Sequence, residues 1–504
     1  IVSRLHPKSM NKVIRQLGFG FLALYLILFG ALVYWQVIST ERLSSEAGNN
    51  RAILRQYERP RGIIATSDGV VVAQSRPTTD TDNPYQRVYP EGDLYAHLTG
   101  YFTMRLGATQ LERLWSDELT GDTVAQQLLA VGDLIGGQIT DTSGSLRLTL
   151  RHDLQLAAKT ALGDREGSVV VLDIETGAVL AMWSWPSFDP NIVVDPDYDT
   201  AYAYLDELIA DERDPLLANA YQQRYMPGST MKVLTTSVAL ANQTTSLEKV
   251  WPDESVWLPP QTNDPIENYG GSVCGGDLTE VFRRSCNIPF AQLAVDMGPD
   301  AFTLGMSAWG VGTPVPIDLP RPAASTIGDD VDELDDNLPL LAMRGFGQNE
   351  VQLVPLHLAM ITAAVADNGT VREPYVVDKA LDHNGGTLYA GEPTIWREPI
   401  SPKVAQTMVD LMETVATSGT ASCCIGLNNG ISVAAKTGTA QLNGPGEPER
   451  SHAWITAFAP VDEPRYAVTV MVKGTNDEIS ASTGGKLAGP IAKAMLDTAF
   501  SRDN

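Results

Sequence analysis

The chain has 504 residues, of which 43% are hydrophobic and 19% charged, and its formal net charge is −25. This balance is typical of a globular protein with a sizeable core, and it excludes the disordered and fibrous classes. An acidic surface repels nucleic acid and anionic lipid head groups, and no basic patch interleaved with aromatic residues offsets it. Nucleic-acid binding is therefore excluded.

The first element in chain order is an uncharged segment at 16–38, QLGFGFLALYLILFGALVYWQVI. At about 1.5 Å per residue, a helix of this length crosses a ~30 Å hydrocarbon core. Residues 1–15 carry four basic and no acidic side chains, which predicts a cytoplasmic tail and an extracytoplasmic remainder. The segment is longer than the apolar region of a signal peptide and has no small-residue cleavage site. We therefore expect an uncleaved membrane anchor.

A small membrane-proximal domain is predicted for 39–145. Its first part, 39–60, has a helical and charged pattern. Residues 61–75, RGIIATSDGVVVAQS, place a Ser-Asp-Gly turn between two β-rich runs, which predicts a hairpin. The remainder, 81–145, is mixed in pattern and contains no internal repeat.

Residues 146–504 are predicted to form one α+β domain. Residues 146–162 indicate a short strand followed by an amphipathic helix, and 167–191 indicate an antiparallel hairpin with apolar runs buried on both faces. The middle, 201–426, has a mostly helical and loop-rich pattern. Strands and a closing helix return at 430–441, 452–460, 465–474 and 485–499. Strands at both ends predict a single sheet that joins the two ends of the domain.

One short stretch, PGSTMKV at 227–233, has the spacing of a nucleophile and its base. Ser229 and Lys232 lie three residues apart, on one face of a helix. The Pro-Gly pair stops any earlier helix, and the helix that follows is almost wholly apolar, so the lysine is desolvated and loses its proton more easily. The same spacing at Ser9 and at Ser246 lacks this context: one lies on the basic flank, the other in a polar stretch.

Two more motifs follow in the same order. RRSCNIPF holds Ser285 and Asn287, which taken alone are ordinary turn residues. AAKTGTAQ holds Lys436, Thr437 and Gly438, and Lys-Thr-Gly occurs once in the chain. A cation, a hydroxyl and a glycine on a strand edge suit a substrate carboxylate and a close backbone approach. The alternative is a solvated lysine–threonine pair with the glycine in a bulge.

The chain has four cysteines. In an exported domain, Cys274 and Cys286 could pair and close a short loop, whereas the sequence does not assign the neighbours Cys423 and Cys424. Neither the cysteines nor the six histidines have metal-ligand spacing, so we expect no metal and no cofactor. The acidic run 329–337 is predicted to be a solvated loop, and His452 is expected to pack beside the third motif without a catalytic role.

The three motifs in this order resemble those of the active-site-serine penicillin-binding proteins and β-lactamases. RYMPGSTMKV, SCN and KTGTA look like the motifs of penicillin-binding transpeptidases, and the stretches 169–191 and 345–369 resemble the opening of their catalytic domain and the segment before their third motif. The resemblance covers nearly the whole chain from residue 51. It is closest to the short-pedestal class B form, the actinobacterial penicillin-binding protein A type. It implies a pedestal at 39–145 and a transpeptidase domain at 146–504.

The resemblance also implies a role for each motif residue. Ser229 would attack the penultimate D-Ala of a D-Ala-D-Ala stem peptide, with Lys232 as general base. Ser285, tuned by Lys436, would pass a proton to the departing amine. Asn287 would hold the peptide amide. Further roles are implied for the third motif: Thr437 and Thr439 would bind the terminal carboxylate, Gly438 would allow close approach, and the backbone N–H groups of Ser229 and Thr439 would form the oxyanion hole.

The implied substrates are peptidoglycan stem peptides on glycan made from lipid II, and β-lactams should acylate the serine. The implied setting is a single-pass membrane protein that works with a polytopic glycosyltransferase of the shape, elongation, division and sporulation family. The alternatives are a membrane-anchored β-lactamase and a β-lactam sensor. The E-x-x-L-N stretch by which class A β-lactamases deacylate is absent, and intact motifs argue against a scaffold without turnover.

Overall fold

The structure is a computed structural model, and it describes residues 7–34, 59–79, 84–135, 141–328, 334, 336–442 and 450–502. The N-terminal helix α1 (Pro7–Val33) belongs to one compact unit, and residues 60–77 with 86 onward form another. The window 14–31 of α1 is long and apolar enough to cross a membrane, with a mean hydropathy of 1.6 and no buried part. The predicted anchor therefore falls on a helix, although its last residues, 35–38, lie outside the described residues, as do 39–58.

The strands are between two and nine residues long. In chain order they are β1 (Ile64–Ala65), β2 (Val71–Pro77), β3 (Tyr85–Val88), β4 (Phe102–Thr103), β5 (Gly107–Ala108), β6 (Ser145–Leu148), β7 (Gly167–Asp173), β8 (Val179–Trp185), β9 (Val250–Glu254), β10 (Val256–Trp257), β11 (Ile266–Glu267), β12 (Cys274–Asp277), β13 (Val371–Arg372), β14 (Val377–Leu381), β15 (Thr387–Ala390), β16 (Ile395–Arg397), β17 (Ala434–Gln441), β18 (Ser451–Ala459) and β19 (Tyr466–Val472).

The helices that follow α1 are concentrated between residues 190 and 420. In chain order they are α2 (Ala96–Thr99), α3 (Gln110–Leu114), α4 (Ser116–Thr120), α5 (Val124–Ile135), α6 (His152–Leu162), α7 (Pro190–Val193), α8 (Tyr198–Ala210), α9 (Met231–Ala241), α10 (Leu278–Arg284), α11 (Ile288–Met297), α12 (Pro299–Ala308), α13 (Leu338–Gly345), α14 (Pro355–Ala366), α15 (Pro402–Ser418), α16 (Asp477–Ser480), α17 (Gly484–Leu487) and α18 (Gly489–Phe500).

A five-stranded sheet in the order β17-β18-β19-β7-β8 forms the centre of the catalytic part of the chain. Its pairs are antiparallel, and Val470 of β19 lies opposite Val169 of β7, so one sheet joins strands from both ends of the predicted domain. Helix α14 packs on β7, β18 and β19, while α6 and α18 pack on the sheet and on each other. Helices cover the apolar strands, and the predicted α+β fold is confirmed.

A second sheet, in the order β15-β14-β6-β1-β2-β3, includes the predicted hairpin at 61–75. Strand β6 pairs in parallel with β1 and antiparallel with β14, so Leu146 lies between Ile64 and Ala380. The sheet thus takes strands from both sides of the predicted domain boundary at 145/146. Strand β14 was missed in the sequence because the stretch 201–426 reads as helical, and its partner strand β6 is more than 200 residues away.

The same middle stretch contains a second feature that was not predicted, the 250–277 segment. Its outer strands β9 and β12 pair antiparallel, with Glu254 opposite Cys274, and its inner strands β10 and β11 form a short hairpin. These strands are two to five residues long and largely exposed. Too few alternating positions are present for a period of two to stand out.

Candidate active site

Ser229 lies in a 3₁₀ turn that leads directly into helix α9. Gly228 has a φ of +52°, and a Cβ there would lie 2.5 Å from the carbonyl oxygen of Thr439. A Cβ on Gly438 would lie 2.6 Å from the carbonyl oxygen of the residue before Gly228. Both positions need glycine because strand β17 packs directly against the serine turn. Ser229 is left half-buried beside β17.

Lys232 is fully buried and bonded to two of the three motifs. Its Nζ lies 2.9 Å from Ser229 Oγ, 2.8 Å from the carbonyl oxygen of Ser285 and 2.9 Å from Asn287 Oδ1. The carbonyl and the amide oxygen can only accept hydrogen bonds, whereas the serine hydroxyl can donate. A neutral amine satisfies all three neighbours, with two N–H donors and one lone pair facing the Ser229 hydroxyl.

Lys436 occupies the other side of the second motif and is also fully buried. Its Nζ donates to Ser285 Oγ at 2.8 Å and to the carbonyl oxygen of Thr437 at 3.0 Å. The amine lies 5.7 Å from the centroid of the Phe282 ring, on helix α10. Ser285 is thus placed between the two lysines, because its hydroxyl is also 3.4 Å from Lys232 Nζ.

Burial lowers the pKa of both amines. The pKa of Lys232 falls well below its ordinary value, first because the amine is desolvated and then because Lys436 repels its charge. Desolvation lowers the pKa of Lys436 to about 7. No acidic group contributes to either shift. Both amines therefore give up their protons more easily than an exposed lysine.

Ser285 and Asn287 form the turn between helices α10 and α11. Ser285 ends α10 in the left-handed region, with a φ of +61°, and Asn287 caps the start of α11. Between them lies Cys286, which is buried and joined by a disulfide to Cys274 on β12. The second motif is therefore covalently tied to the 250–277 segment.

The structure brings the predicted site residues together around one cleft. Five of them line it: Ser229, Ser285, Asn287, Thr437 and Thr439. The two lysines lie buried beneath the cleft, and Gly438 is not among its lining residues because it packs against the serine turn. Lys436 and Ser285, which are 151 residues apart in the sequence, thus converge within hydrogen-bonding distance.

Eight further residues line the cleft that the sequence did not point to. They are Tyr269, Arg284, Gln348, Thr420, Gln441, Thr483, Gly484 and Gly485. Gln348 lies in the stretch 345–369 that resembles the family, whereas the others carry no motif spacing. No carboxylate is among these lining residues, although acidic side chains outnumber basic ones 61 to 36 in the chain. The cleft is therefore less negative than the rest of the surface.

Two contacts around the cleft hold the motif residues in place. The Thr420 and Thr437 hydroxyls are 2.6 Å apart, so Thr420 fixes the direction of a third-motif hydroxyl. Gly347 accepts a hydrogen bond from the Gly228 N–H at 3.0 Å, and at its φ of +81° a Cβ would lie 2.1 Å from the Gly228 carbonyl oxygen. The 345–369 stretch therefore supports the serine turn through backbone contact.

The remaining cysteines form a disulfide between neighbours, Cys423 and Cys424, in the turn after helix α15. His452 is buried on β18, where its Nδ1 accepts a hydrogen bond from the Gly474 N–H and its ring meets Tyr225 edge-on at 5.5 Å. Desolvation lowers the pKa of His452 to about 4. It is a neutral packing residue, as expected from the sequence.

Of the other two serine–lysine pairs, Ser246 and Lys249 are fully described. Lys249 forms an ion pair with Asp296 at 2.7 Å, and its side chain is 29% exposed. The pair at Ser9 lies on helix α1. Within the described ranges, no group of three or more His, Cys, Asp or Glu side chains could hold a metal ion. Most of the predicted acidic loop, 329–333 and 335, lies outside those ranges.

A hydroxyl next to a buried amine that loses its proton readily suits acyl transfer through a serine ester. Together with the antiparallel five-stranded sheet and its helical cover, the cleft defines the class of active-site-serine acyltransferases. Residues 167–497 match the penicillin-binding protein transpeptidase domain, and residues 61–144 match the penicillin-binding protein A dimerisation domain. The chain belongs to the penicillin-binding protein transpeptidase family, among its class B members.

Similar proteins support the same placement. The chain is 34% identical over 500 residues to the peptidoglycan D,D-transpeptidase PbpA of Mycolicibacterium smegmatis, with 97% of this chain and 99% of that protein covered. The Mycobacterium tuberculosis PbpA is 33% identical over 97% of this chain and 99% of its own length. The structure of M. tuberculosis penicillin-binding protein A as a ceftriaxone acyl-enzyme aligns with a TM-score of 0.81 and 31% identity, and covers 89% of this chain and 100% of that one.

Proposed function

We propose that Ser229 is the nucleophile of a peptidoglycan D,D-transpeptidase, with Lys232 as its general base. The observation that carries this proposal is the 2.9 Å contact between Ser229 Oγ and a fully buried Lys232 amine. The chain cross-links stem peptides through a serine acyl-enzyme and is acylated by β-lactams. The names of the PbpA relatives and the acyl-enzyme structures of M. tuberculosis penicillin-binding protein A support this assignment.

In the first step, Ser229 Oγ attacks the carbonyl carbon of the penultimate D-Ala while its proton passes to Lys232. The C–N bond to the terminal D-Ala then breaks, and the departing nitrogen takes a proton through Ser285, which bridges the two lysines. In the second step, the amine of a neighbouring stem peptide attacks the ester carbonyl and gives up a proton. A new amide forms, and Ser229 is released with its own proton restored.

The remaining motif residues hold the donor peptide. The backbone N–H groups of Ser229 and Thr439 stabilise the negative oxygen of the tetrahedral intermediate. Asn287 holds the peptide amide, and Thr437 and Thr439 bind the terminal carboxylate. Gly438 lets strand β17 approach the serine turn closely enough for these groups to face one substrate.

Mapping the covalent adduct tests the assignment. Full-length protein is incubated with a fluorescent penicillin, digested and analysed by mass spectrometry, and the adduct is expected on the peptide that carries Ser229. An adduct on another serine contradicts the assignment. Rapid loss of the fluorescent label from the protein indicates a β-lactamase. Stable label without any cross-linked product from stem peptides indicates a β-lactam sensor.

The pH dependence of acylation should separate the two lysines. The rate is expected to rise as Lys232 loses its proton and to fall above about pH 7, because Lys436 then loses the positive charge that favours proton transfer through Ser285. Lys436→Arg should move the alkaline limb up by more than one pH unit, because a guanidinium stays protonated. Rates of penicillin labelling from pH 5 to 9 measure this. An alkaline limb that stays in place in Lys436→Arg argues against the assignment.

We further propose the membrane arrangement and the domain limits. The four basic residues in 1–15 favour a cytoplasmic tail, the apolar helix suits a span at 16–38, and the catalytic domain at 146–504 is extracytoplasmic. The pedestal at 39–145 and the anchor are the surfaces for a polytopic glycosyltransferase of the shape, elongation, division and sporulation family. Protease digestion of intact cells from outside should remove the catalytic domain. Chemical cross-linking through the pedestal should capture the glycosyltransferase. If no glycosyltransferase is captured, the proposed partnership is contradicted.

A further inference from the structure

The turn that carries Ser285 and Asn287 contains a residue in a rarely occupied backbone conformation. Ser285 is a non-glycine residue at a φ of +61°, a region that side chains with a Cβ occupy rarely. The turn joins two helices, α10 and α11, and presents two of the three oxygen atoms that lie within 3.0 Å of Lys232 Nζ. A backbone in this region persists where the surrounding structure fixes it. The question is which residues fix it.

One buried asparagine, Asn268, meets the turn directly. Its Oδ1 accepts hydrogen bonds from the N–H of Asn287 at 2.8 Å and of Ile288 at 3.1 Å. Its Nδ2 donates to the carbonyl oxygens of Glu254 at 2.8 Å and Ser272 at 3.1 Å. The side chain is 3% exposed, and all four of its hydrogen-bonding positions are used. Asn268 therefore connects the second motif to the 250–277 segment.

The disulfide between Cys274 and Cys286 makes a second connection to that segment. Cys286 is the residue between Ser285 and Asn287, and Cys274 lies opposite Glu254 in the β9–β12 pair. Glu254 is also the residue whose carbonyl accepts from Asn268. One hydrogen-bonded connection and one covalent connection thus run from the same strand pair to adjacent residues of the motif.

We propose that Asn268 is a positioning residue, and that Asn268 and the Cys274–Cys286 disulfide form a two-point clamp that holds Ser285 and Asn287 against Lys232. This inference rests on the proposed roles of Lys232 and of the second motif. The clamp acts through geometry alone: with the turn released, Lys232 loses two hydrogen-bond acceptors and gains contact with water. A more hydrated amine keeps its proton to higher pH.

The test uses full-length protein in which Cys423 and Cys424 are replaced by serine, so that a reductant acts on one disulfide. Asn268→Ala is compared with Asn263→Ala, an exposed asparagine in the same segment. The rate constant for acylation by a fluorescent penicillin is measured from pH 5 to 9, with and without reductant. Thermal unfolding is recorded for each state.

We expect Asn268→Ala to lower the rate about tenfold, since two buried N–H groups lose their acceptor. Reduction alone should lower the rate roughly threefold, because Asn268 still holds the turn. Both together should lower it by more than about a hundredfold, which exceeds the product of the separate effects because each connection covers for the other. The acidic limb of the pH profile should move to higher pH in that doubly released state, and Asn263→Ala should match the reference.

Several outcomes overturn the proposal. If Asn268→Ala, reduction and their combination all leave the rate and the acidic limb unchanged, the clamp is wrong while the role of Ser229 stands. If the reference protein takes no label, the proposed function fails and the clamp fails with it. The measurement with reductant needs no substitution in the turn. Should Asn268→Ala not fold, a reduced protein with unchanged rate and unchanged acidic limb still rejects the clamp.

Discussion

Ser229→Ala is expected to abolish penicillin labelling and stem-peptide cross-linking, with the acylation rate falling by ~10⁴-fold or more, as when other serine hydrolases lose their nucleophile. Ser285 carries the other hydroxyl that the structure places beside Lys232. Ser285 donates towards or accepts from both lysines, but its hydroxyl is 3.4 Å from Lys232, whereas that of Ser229 is 2.9 Å away. The fold should be unaffected because the side chain is small and half-exposed.

The matched control for this variant is Ser246→Ala, which removes a serine with the same spacing to a lysine. Its lysine, Lys249, is bound in a surface ion pair with Asp296, and the control should label at the wild-type rate. Gel fluorescence after a fixed exposure to fluorescent penicillin measures both variants. Lasting label on Ser229→Ala would show that another residue is the nucleophile.

Lys232→Met should lower the acylation rate about a thousandfold, within the range for loss of a general base, while the free energy of unfolding changes by no more than about 2 kcal/mol. The acylation rate and the stability respond differently because a buried amine at this position destabilises the fold. Methionine fills a similar volume without a desolvated amine, which offsets the loss of bonds to Ser285 and Asn287.

Lys249→Met is the matched control, a lysine with the same spacing from a serine but with a partly exposed side chain. It should keep the full acylation rate and lose at most about 1 kcal/mol of stability, the usual size of a surface ion pair. Labelling kinetics and urea unfolding measure both quantities. A Lys232→Met protein that acylates within tenfold of wild type would rule out the lysine as the base.

The family and the fold could be predicted from the sequence because their signals are local. The apolar runs of β7 and β8, each of the three motifs and the uncharged N-terminal segment are readable within short stretches, and the family and fold predictions are confirmed. The catalytic roles of Ser229 and Lys232 remain predictions for the experiments above. The structure adds the distance between Ser229 Oγ and Lys232 Nζ and the burial of the lysine side chain.

The parts that could not be predicted depend on distant pairing. Strand β14 joins the sheet of β1 and β6 across more than 200 residues, and its five residues are only partly buried. Thr420 and Asn268 belong to no motif, since a threonine or an asparagine in a loop is ordinary. Each contacts a motif residue, Thr437 for Thr420 and Asn287 for Asn268, and sequence spacing does not reveal this contact.

Raising the pH has opposite effects on the proposed activity and on the stability that the two buried lysines contribute. An unfolded chain keeps both amines protonated up to about pH 10.4, whereas in the folded protein Lys436 releases its proton near pH 7 and Lys232 does so below its ordinary range. Between these values the unfolded state binds more protons, so the two lysines make the folded state more stable as pH rises. The stabilising contribution of these two lysines is therefore largest at alkaline pH, where Lys436 has lost the charge that the proposed proton relay uses. The pH range that the proposed relay requires is thus one in which these two lysines make the fold less stable.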